Sequence, residues 1–334
     1  MTDTDQHVIE AFDNRVERRN ERRDFFKAAL GAAAVAGAGV AAVTLAGPAV
    51  AQTITDADVL NFALNLEYLE AQFYLFALNG SGLAAADTDG YLTAGTLVAG
   101  GTVVAGQKVD FSGDAVVASY AKEIAADELA HVRFLRAQLN GARVPMPNID
   151  VSPAAFNKAA VAAGIATAAA PFNPYLSPEN FLLGAFIFED VGVTAYKGAA
   201  PLLTSKVYLE AAAGILAVEA YHASIVRTSL YSKGIAAPAK MLIEATEAIS
   251  NLRDTLDGSP TADLVKGIGP DDDQGVANIA GAYGVGSNIV PLNSNGLAFS
   301  RSTGQVLNIV YGNTTTPSGL FFPNGVNGTF KANA

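Results

Sequence analysis

Cysteine is absent from the 334-residue sequence. That excludes disulfides, thiolate metal ligands, iron–sulfur clusters and a cysteine nucleophile. Any metal must be held by carboxylate oxygen and imidazole nitrogen, which points to iron, manganese or zinc. Charge is scarce, at 16% of residues, and the balance is acidic, with a formal net charge of −11. A nucleic-acid partner would want a basic stripe, and this balance argues against one. No glycine-rich phosphate loop appears. Histidine is rarer still, with three in the chain. What abounds is apolar: half the residues are hydrophobic, and alanine is plentiful. Long helices with small, close-packed faces around a sizeable core are the first expectation.

The first fifty residues read as an export address. A polar stretch ends in Arg22-Arg23-Asp24-Phe25-Phe26-Lys27, an apolar Ala/Gly-rich run follows, and Ala49-Val50-Ala51 offers a small-x-small cleavage site. The paired arginines resemble the twin-arginine class of leader, which implies the export machinery of that name and a periplasmic or extracellular destination. An uncleaved membrane anchor is the alternative, since the run approaches spanning length. Residues 1–51 are therefore assigned to a signal peptide, 52–258 to a helical bundle and 259–334 to a loop-rich extension.

Helix signals punctuate the rest. Thr55 caps a helix carrying Asp56 and Asp58 in its first turn and ending near Asn79-Gly80. Residues 80–113 turn to Gly, Thr and Val, reading as a loop insertion with a short hairpin around Thr102-Val103-Val104. Asp114 caps a second long helix, which stops at Asn140-Gly141. Ser152-Pro153 and Ser177-Pro178 are cap-plus-proline starts. The first opens a connecting helix over about 152–168, the second a long apolar helix over 178–199. A further helix runs from about 204 to Lys233-Gly234, and a fifth bundle helix from 238 to 257. The extension after it, with one short helix near 303–311, is expected to wrap the bundle because Tyr311 and Phe321-Phe322 want burial; disorder is the alternative. Asp271-Asp272-Asp273 lacks the alternating oxygens of a calcium loop and reads as a solvated turn.

The chemistry concentrates in a repeated pair. Beyond the leader only His131 and His222 remain, and each stands three residues after a glutamate, Glu128 and Glu219. Residues three apart share a helix face, so carboxylate and imidazole can grip one ion together. With ten glutamates in residues 52–334, composition alone would place both histidines so about once in a thousand sequences. Each of these helices follows one that sets a glutamate among apolar neighbours: Glu67 or Glu70 in the first, Glu189 between Phe188 and Asp190-Val191 in the third. Buried as an unpaired ion, such a glutamate is costly; bridging cations removes that cost. With both histidines committed, a Ser-His-Asp site would have to borrow a ligand.

One Glu, then Glu-x-x-His, then one Glu, then Glu-x-x-His on four successive helices resembles the ferritin-like di-iron carboxylate superfamily. The stretch Leu60 to Glu70 and the tail Phe321 to Gly328 are similar, more narrowly, to exported ferritin-like proteins related to plant desiccation-related proteins. The resemblance implies an all-α, ferritin-like four-helix bundle with a long crossover. It also implies two iron or manganese ions held by Glu67, Glu128, His131, Glu189, Glu219 and His222. Glu67 is chosen over Glu70 because ferritin-like ligands are often followed seven residues later by a tyrosine, here Tyr74; Glu189 has the same relation to Tyr196. Aligning Asn61-Phe62 with Asn180-Phe181 would favour Glu70 instead. In related enzymes an aspartate placed as Asp127 orients the histidine of the opposite half, here His222; a solvated surface aspartate is the plain alternative. Tyr74, Tyr196 and Tyr221 read as ordinary core tyrosines, or as groups that hydrogen-bond ligands or relay electrons.

Two functions follow. The first is a di-metal oxidoreductase acting on small oxygen species or ferrous iron, as a peroxidase, catalase, oxidase or ferroxidase. The second is a structural or stress-protective envelope protein without turnover. A homo-oligomer is compatible with either, whereas the insertion and tail would crowd a closed ferritin cage.

Overall fold

The computed structural model describes residues 54–93, 95–258, 272–281, 284–293 and 295–333. The expected leader, and Asp271 with the start of the C-terminal extension, lie outside the described residues.

Four long helices carry the fold. Helix α1, Asp56–Asn79, begins at a reciprocal capping box between Thr55 and Asp58 and ends at Gly80, whose φ of 76° only glycine adopts cheaply. It is buried along nearly its whole length, so its apolar residues surround it rather than forming a stripe. Helix α2, Ala115–Leu139, starts on the Asp114 cap. Helix α4, Pro178–Ala199, starts on Ser177 with proline in its first turn, and α5, Lys206–Ala236, starts on Ser205. The helices pack as two pairs, α1 along α2 and α4 along α5, brought together as one bundle. The all-α expectation holds.

Several boundaries moved, each for a physical reason. The connecting helix α3, Pro153–Ala162, is shorter than the expected 152–168, because Gly164 turns left-handed with φ 79°. Helix α5 passes through Gly234 rather than stopping there. A Cβ at that position would meet Ile243 Cγ1 at 2.7 Å, so the glycine serves close packing against α6, Leu242–Asp257, not termination. Residues 238–240 form a separate 3-10 turn before α6. The short helix α7, Thr303–Tyr311, lies where the sequence placed it.

The 80–113 insertion contains a hairpin, but at β1 (Gly90–Thr93) and β2 (Thr96–Val98). Val103–Val104, expected to be its centre, is strand β3 and instead pairs in parallel with β4, Ile149–Asp150, in the crossover. Alternation announces a strand but not its partner. A second hairpin, β5 (Ile279–Gly281) with β6 (Gly284–Gly286), lies in the tail.

The tail and crossover clamp α1 just ahead of its glutamates. Asn65 Nδ2 donates to the Asn327 carbonyl at 2.9 Å, and the Asn327 amide donates back to Asn65 Oδ1 at 3.0 Å. Phe73, Phe156, Phe181, Phe188 and Phe321 form an aromatic cluster joining α1, α3, α4 and the tail. Tyr311, Phe321 and Phe322 are buried, as the wrapped tail requires.

Asp273 overturns the solvated-turn expectation. It is buried, with Arg253 Nε donating to Oδ2 and Nη2 to Oδ1, both at 2.7 Å, and Arg301 Nη2 donating to Oδ2 at 2.6 Å. Two guanidiniums from distant parts of the chain supply what water would otherwise supply.

Candidate metal centre

The expected ligands converge between the two helix pairs. Glu67 lies midway along α1, Glu128 and His131 on α2, Glu189 on α4, and Glu219 and His222 on α5. The two imidazole rings lie 6.4 Å apart, centroid to centroid. His131 Nδ1 stands 3.2 Å from Glu67 Oε2, 3.6 Å from Glu128 Oε2 and 3.7 Å from Glu219 Oε1. His222 Nδ1 stands 3.1 Å from Glu128 Oε1 and 3.6 Å from Glu189 Oε2. Glu128 thus reaches both imidazoles, one with each oxygen. Glu70 takes a third corner beside Glu189 and Glu219. Both of the first helix's candidates point inward, Glu67 toward His131 and Glu70 toward Glu189 and Glu219.

The tyrosines cross the bundle. Tyr74 donates its hydroxyl to Glu189, and Tyr196 donates its hydroxyl to Glu67. Each tyrosine follows its own helix's glutamate by seven residues, two turns along the same face, and so meets the glutamate of the other pair. These two are therefore more than core filling, whereas Tyr221, 72% exposed, faces away from the centre. Asp127 answers to both readings given it. Its side chain is 42% exposed, yet Oδ2 lies 3.2 Å from His222 Nε2, fixing the ring so that Nδ1 faces inward. The matching position in the other half is Val218, which offers no acceptor.

Two contributors escaped the sequence reading. Gly192 on α4 is one: a Cβ there would stand 2.4 Å from Glu219 Oε2, so the glycine cuts the notch that this carboxylate fills. Asp190, next to Glu189, is the other. It accepts from Arg227 Nη1 at 2.7 Å and Arg253 Nη2 at 3.0 Å, anchoring α4 beside its inward glutamate. The glycine was visible only as a gap in an apolar run. The aspartate's partners lie 37 and 63 residues away, and no local pattern reveals them.

The residues fit a metal by what they leave unsatisfied. Both oxygens of Glu128, Oε2 of Glu67, Glu70, Glu189 and Glu219, and Nδ1 of both histidines are buried without a hydrogen-bond partner. Buried polar atoms are nearly always paired. Eight orphans aimed at one another make a ready donor set of oxygen and imidazole nitrogen, suited to iron or manganese.

Without a cation the same groups must share protons. Burial and the neighbouring Glu128 charge push Glu67 up to about 7. Burial acts against charging His131 and His222, but the facing carboxylates outweigh it and raise them to about 10 and about 12. Burial would raise Glu128 too, yet the two imidazoles facing its oxygens at 3.6 and 3.1 Å win and pull it down to about 2. Burial, followed by carboxylate neighbours, holds Glu70 and Glu219 well above the usual range.

The sign of the pH effect follows. Glu67 and both histidines bind protons more tightly when folded, so their stabilisation is complete at low pH. It fades as pH rises from 4.5 through 7 for Glu67, and from 6.5 through 10 for His131. Glu128 runs the other way: its stabilisation is complete above its ordinary 4.5 and is lost as pH falls toward 2. Metal displaces these protons and binds better as they leave. The gap in Tm between metal-loaded and chelator-treated protein should therefore widen steadily from pH 5 to pH 8. Scanning calorimetry at four pH values checks this, and a constant gap would contradict it.

A family model described as "Ferritin-like domain" matches residues 55–232. The chain is 32% identical over 258 residues to "Desiccation-related protein PCC13-62" of Craterostigma plantagineum, covering 76% of each chain. It is 30% identical over 282 residues to "Ferritin-like catalase Nec2" of Nesocodon mauritianus, covering 82% of this chain and 84% of that one. No solved structure matches.

Proposed function

Since the chain belongs to the ferritin-like domain family, we propose that it is an exported di-metal oxidoreductase that dismutes hydrogen peroxide. The observation that carries this reading is the convergence of buried, unpartnered donor atoms around two imidazoles. The relative named a ferritin-like catalase supports the choice among oxygen chemistries. Two iron or manganese ions held by Glu67, Glu128, His131, Glu189, Glu219 and His222 would supply and take back two electrons.

Dismutation takes two electrons and two protons from one peroxide, releasing dioxygen, and gives them to a second, making two waters. The chain's share is to place and move those protons. Glu70 Oε2, buried and without a partner, can hold one. Tyr74 and Tyr196 fix Glu189 and Glu67 from outside, and Asp127 fixes His222. Burial of Glu128, Glu189 and Glu219 keeps bulk water from the centre. The twin-arginine-type leader places this activity outside the cytoplasmic membrane on our reading.

Untagged protein purified from the envelope should hold about two iron or manganese ions per chain, and it should evolve dioxygen from peroxide. Protein that neither contains nor takes up Fe(II) or Mn(II) would sink the proposal. A second reading, a stress-protective protein without turnover, is favoured by the desiccation-related relative. It predicts metal without dioxygen evolution.

A further inference from the structure

Resting on that reading, we propose that dioxygen passes to or from the centre by an apolar route under the C-terminal tail, ending at Glu70. The buried centre needs a passage, and two sides differ in chemistry. Beside His222 stands the half-exposed carboxylate of Asp127, a polar side suited to peroxide and cations. On the α1/α4 side, Glu70 lines a cavity of about 10 Å³ whose other walls include Leu66, Leu69, Val191 and Gly192. That is the lower limit for a single water-sized molecule, so a diatomic enters only as the walls move.

Three side chains close this chamber outward: Ile187 of α4, Ile309 of α7 and Phe321 of the tail. The same three line a second cavity, of about 70 Å³, lying among α3, α4, α6 and the tail. Its walls are almost wholly apolar, with Lys158 and Arg253 the charged exceptions. The two chambers thus share a wall of aliphatic and aromatic side chains, whose movement would join them. Peroxide would have to leave its hydrogen bonds behind in such a passage, while dioxygen has none to lose. At the inner end Glu70 Oε2 has no partner, and Gly192, which shares this cavity's wall, lets the Glu219 carboxylate lie against α4 beside Glu70.

Two variants test the route. Ala163→Phe fills the outer cavity from a partly buried position with ordinary helical φ of −75°. Leu256→Phe, from α6, does the same should the first fail to fold. Ile309→Ala widens the closure between the chambers. Krypton-pressurised crystals should show gas in the outer cavity of the unsubstituted protein. They should show gas beside Glu70 as well in Ile309→Ala, and none in the outer cavity of Ala163→Phe. In Fe(II)-loaded protein, nitric oxide, a neutral diatomic, should bind at least tenfold more slowly to Ala163→Phe, with azide binding unchanged. Unaltered nitric oxide binding in a variant whose outer cavity is visibly filled would overturn the route. So would Ile309→Ala crystals with no krypton beside Glu70. Should the protein take up no iron, the function proposed above falls while the krypton crystals still decide the route.

Discussion

Replacing Glu128 with alanine is expected to reduce bound metal from about two ions per chain to a small fraction of one, and peroxide turnover by about 100-fold or more. Glu128 is the carboxylate common to both imidazole-centred groups: one with Glu67, His131 and Glu219, the other with Glu189 and His222. Removing any of the outer glutamates leaves one group complete. Removing Glu128 opens both. Both of its oxygens are buried without a hydrogen-bond partner, whereas each of the other glutamates leaves one oxygen so. Glu128→Gln keeps the shape and removes the charge. It should lose metal to a similar degree while its chelator-treated form keeps its helical content by circular dichroism. Elemental analysis and oxygen-electrode traces on both variants give the answer. Two ions and full dioxygen evolution in Glu128→Gln would remove Glu128 from the centre.

Three of the four bundle helices were legible from explicit caps: Thr55, Asp114 and Ser177 each accept a hydrogen bond from the first turn, while the Ser205 cap of the fourth came only with the structure. The convergence of the candidate donors was legible because two Glu-x-x-His pairs put four of them on fixed helix faces, and Glu67 and Glu189 stand among apolar neighbours on the helices before them. What stayed hidden depends on chain segments meeting from far away. The tyrosine spacing was visible, but that Tyr74 serves Glu189 and Tyr196 serves Glu67 is a fact of how the pairs face each other. Gly234 read as a helix end and Gly192 drew no reading, although each is where another part of the structure approaches too closely for a Cβ. Strand β3 could not announce a parallel partner 46 residues on. The buried arginines were the largest omission: nothing local distinguishes Arg227, Arg253 or Arg301 from a solvated surface cation.

Those arginines set up the second large expectation, that Arg253→Ala destabilises the metal-free protein by about 3–5 kcal/mol. The side chain is 2% exposed and holds Asp273 with two nitrogens at 2.7 Å and Asp190 with one at 3.0 Å. Its guanidinium also lies 4.6 Å from the centre of the Phe186 ring. Truncation leaves Asp273 with Arg301 alone and Asp190 with Arg227 alone, two carboxylates still buried and each short of a cation. For a domain of this size the cost corresponds to a Tm lower by roughly 10 °C. Its pH dependence separates a charge effect from a packing effect. Burial tends to raise Asp273, but Arg253 and Arg301 outweigh it and hold its carboxyl below the usual 3.8. That stabilisation is present above 3.8 and disappears as pH falls through the lowered value. Without Arg253 the carboxyl titrates higher and can escape its burial cost by taking a proton. The deficit in Tm should therefore be greatest near neutral pH and shrink toward pH 4. A deficit that does not change with pH would mean that Arg253 acts through its contact with Phe186 and not through its charge.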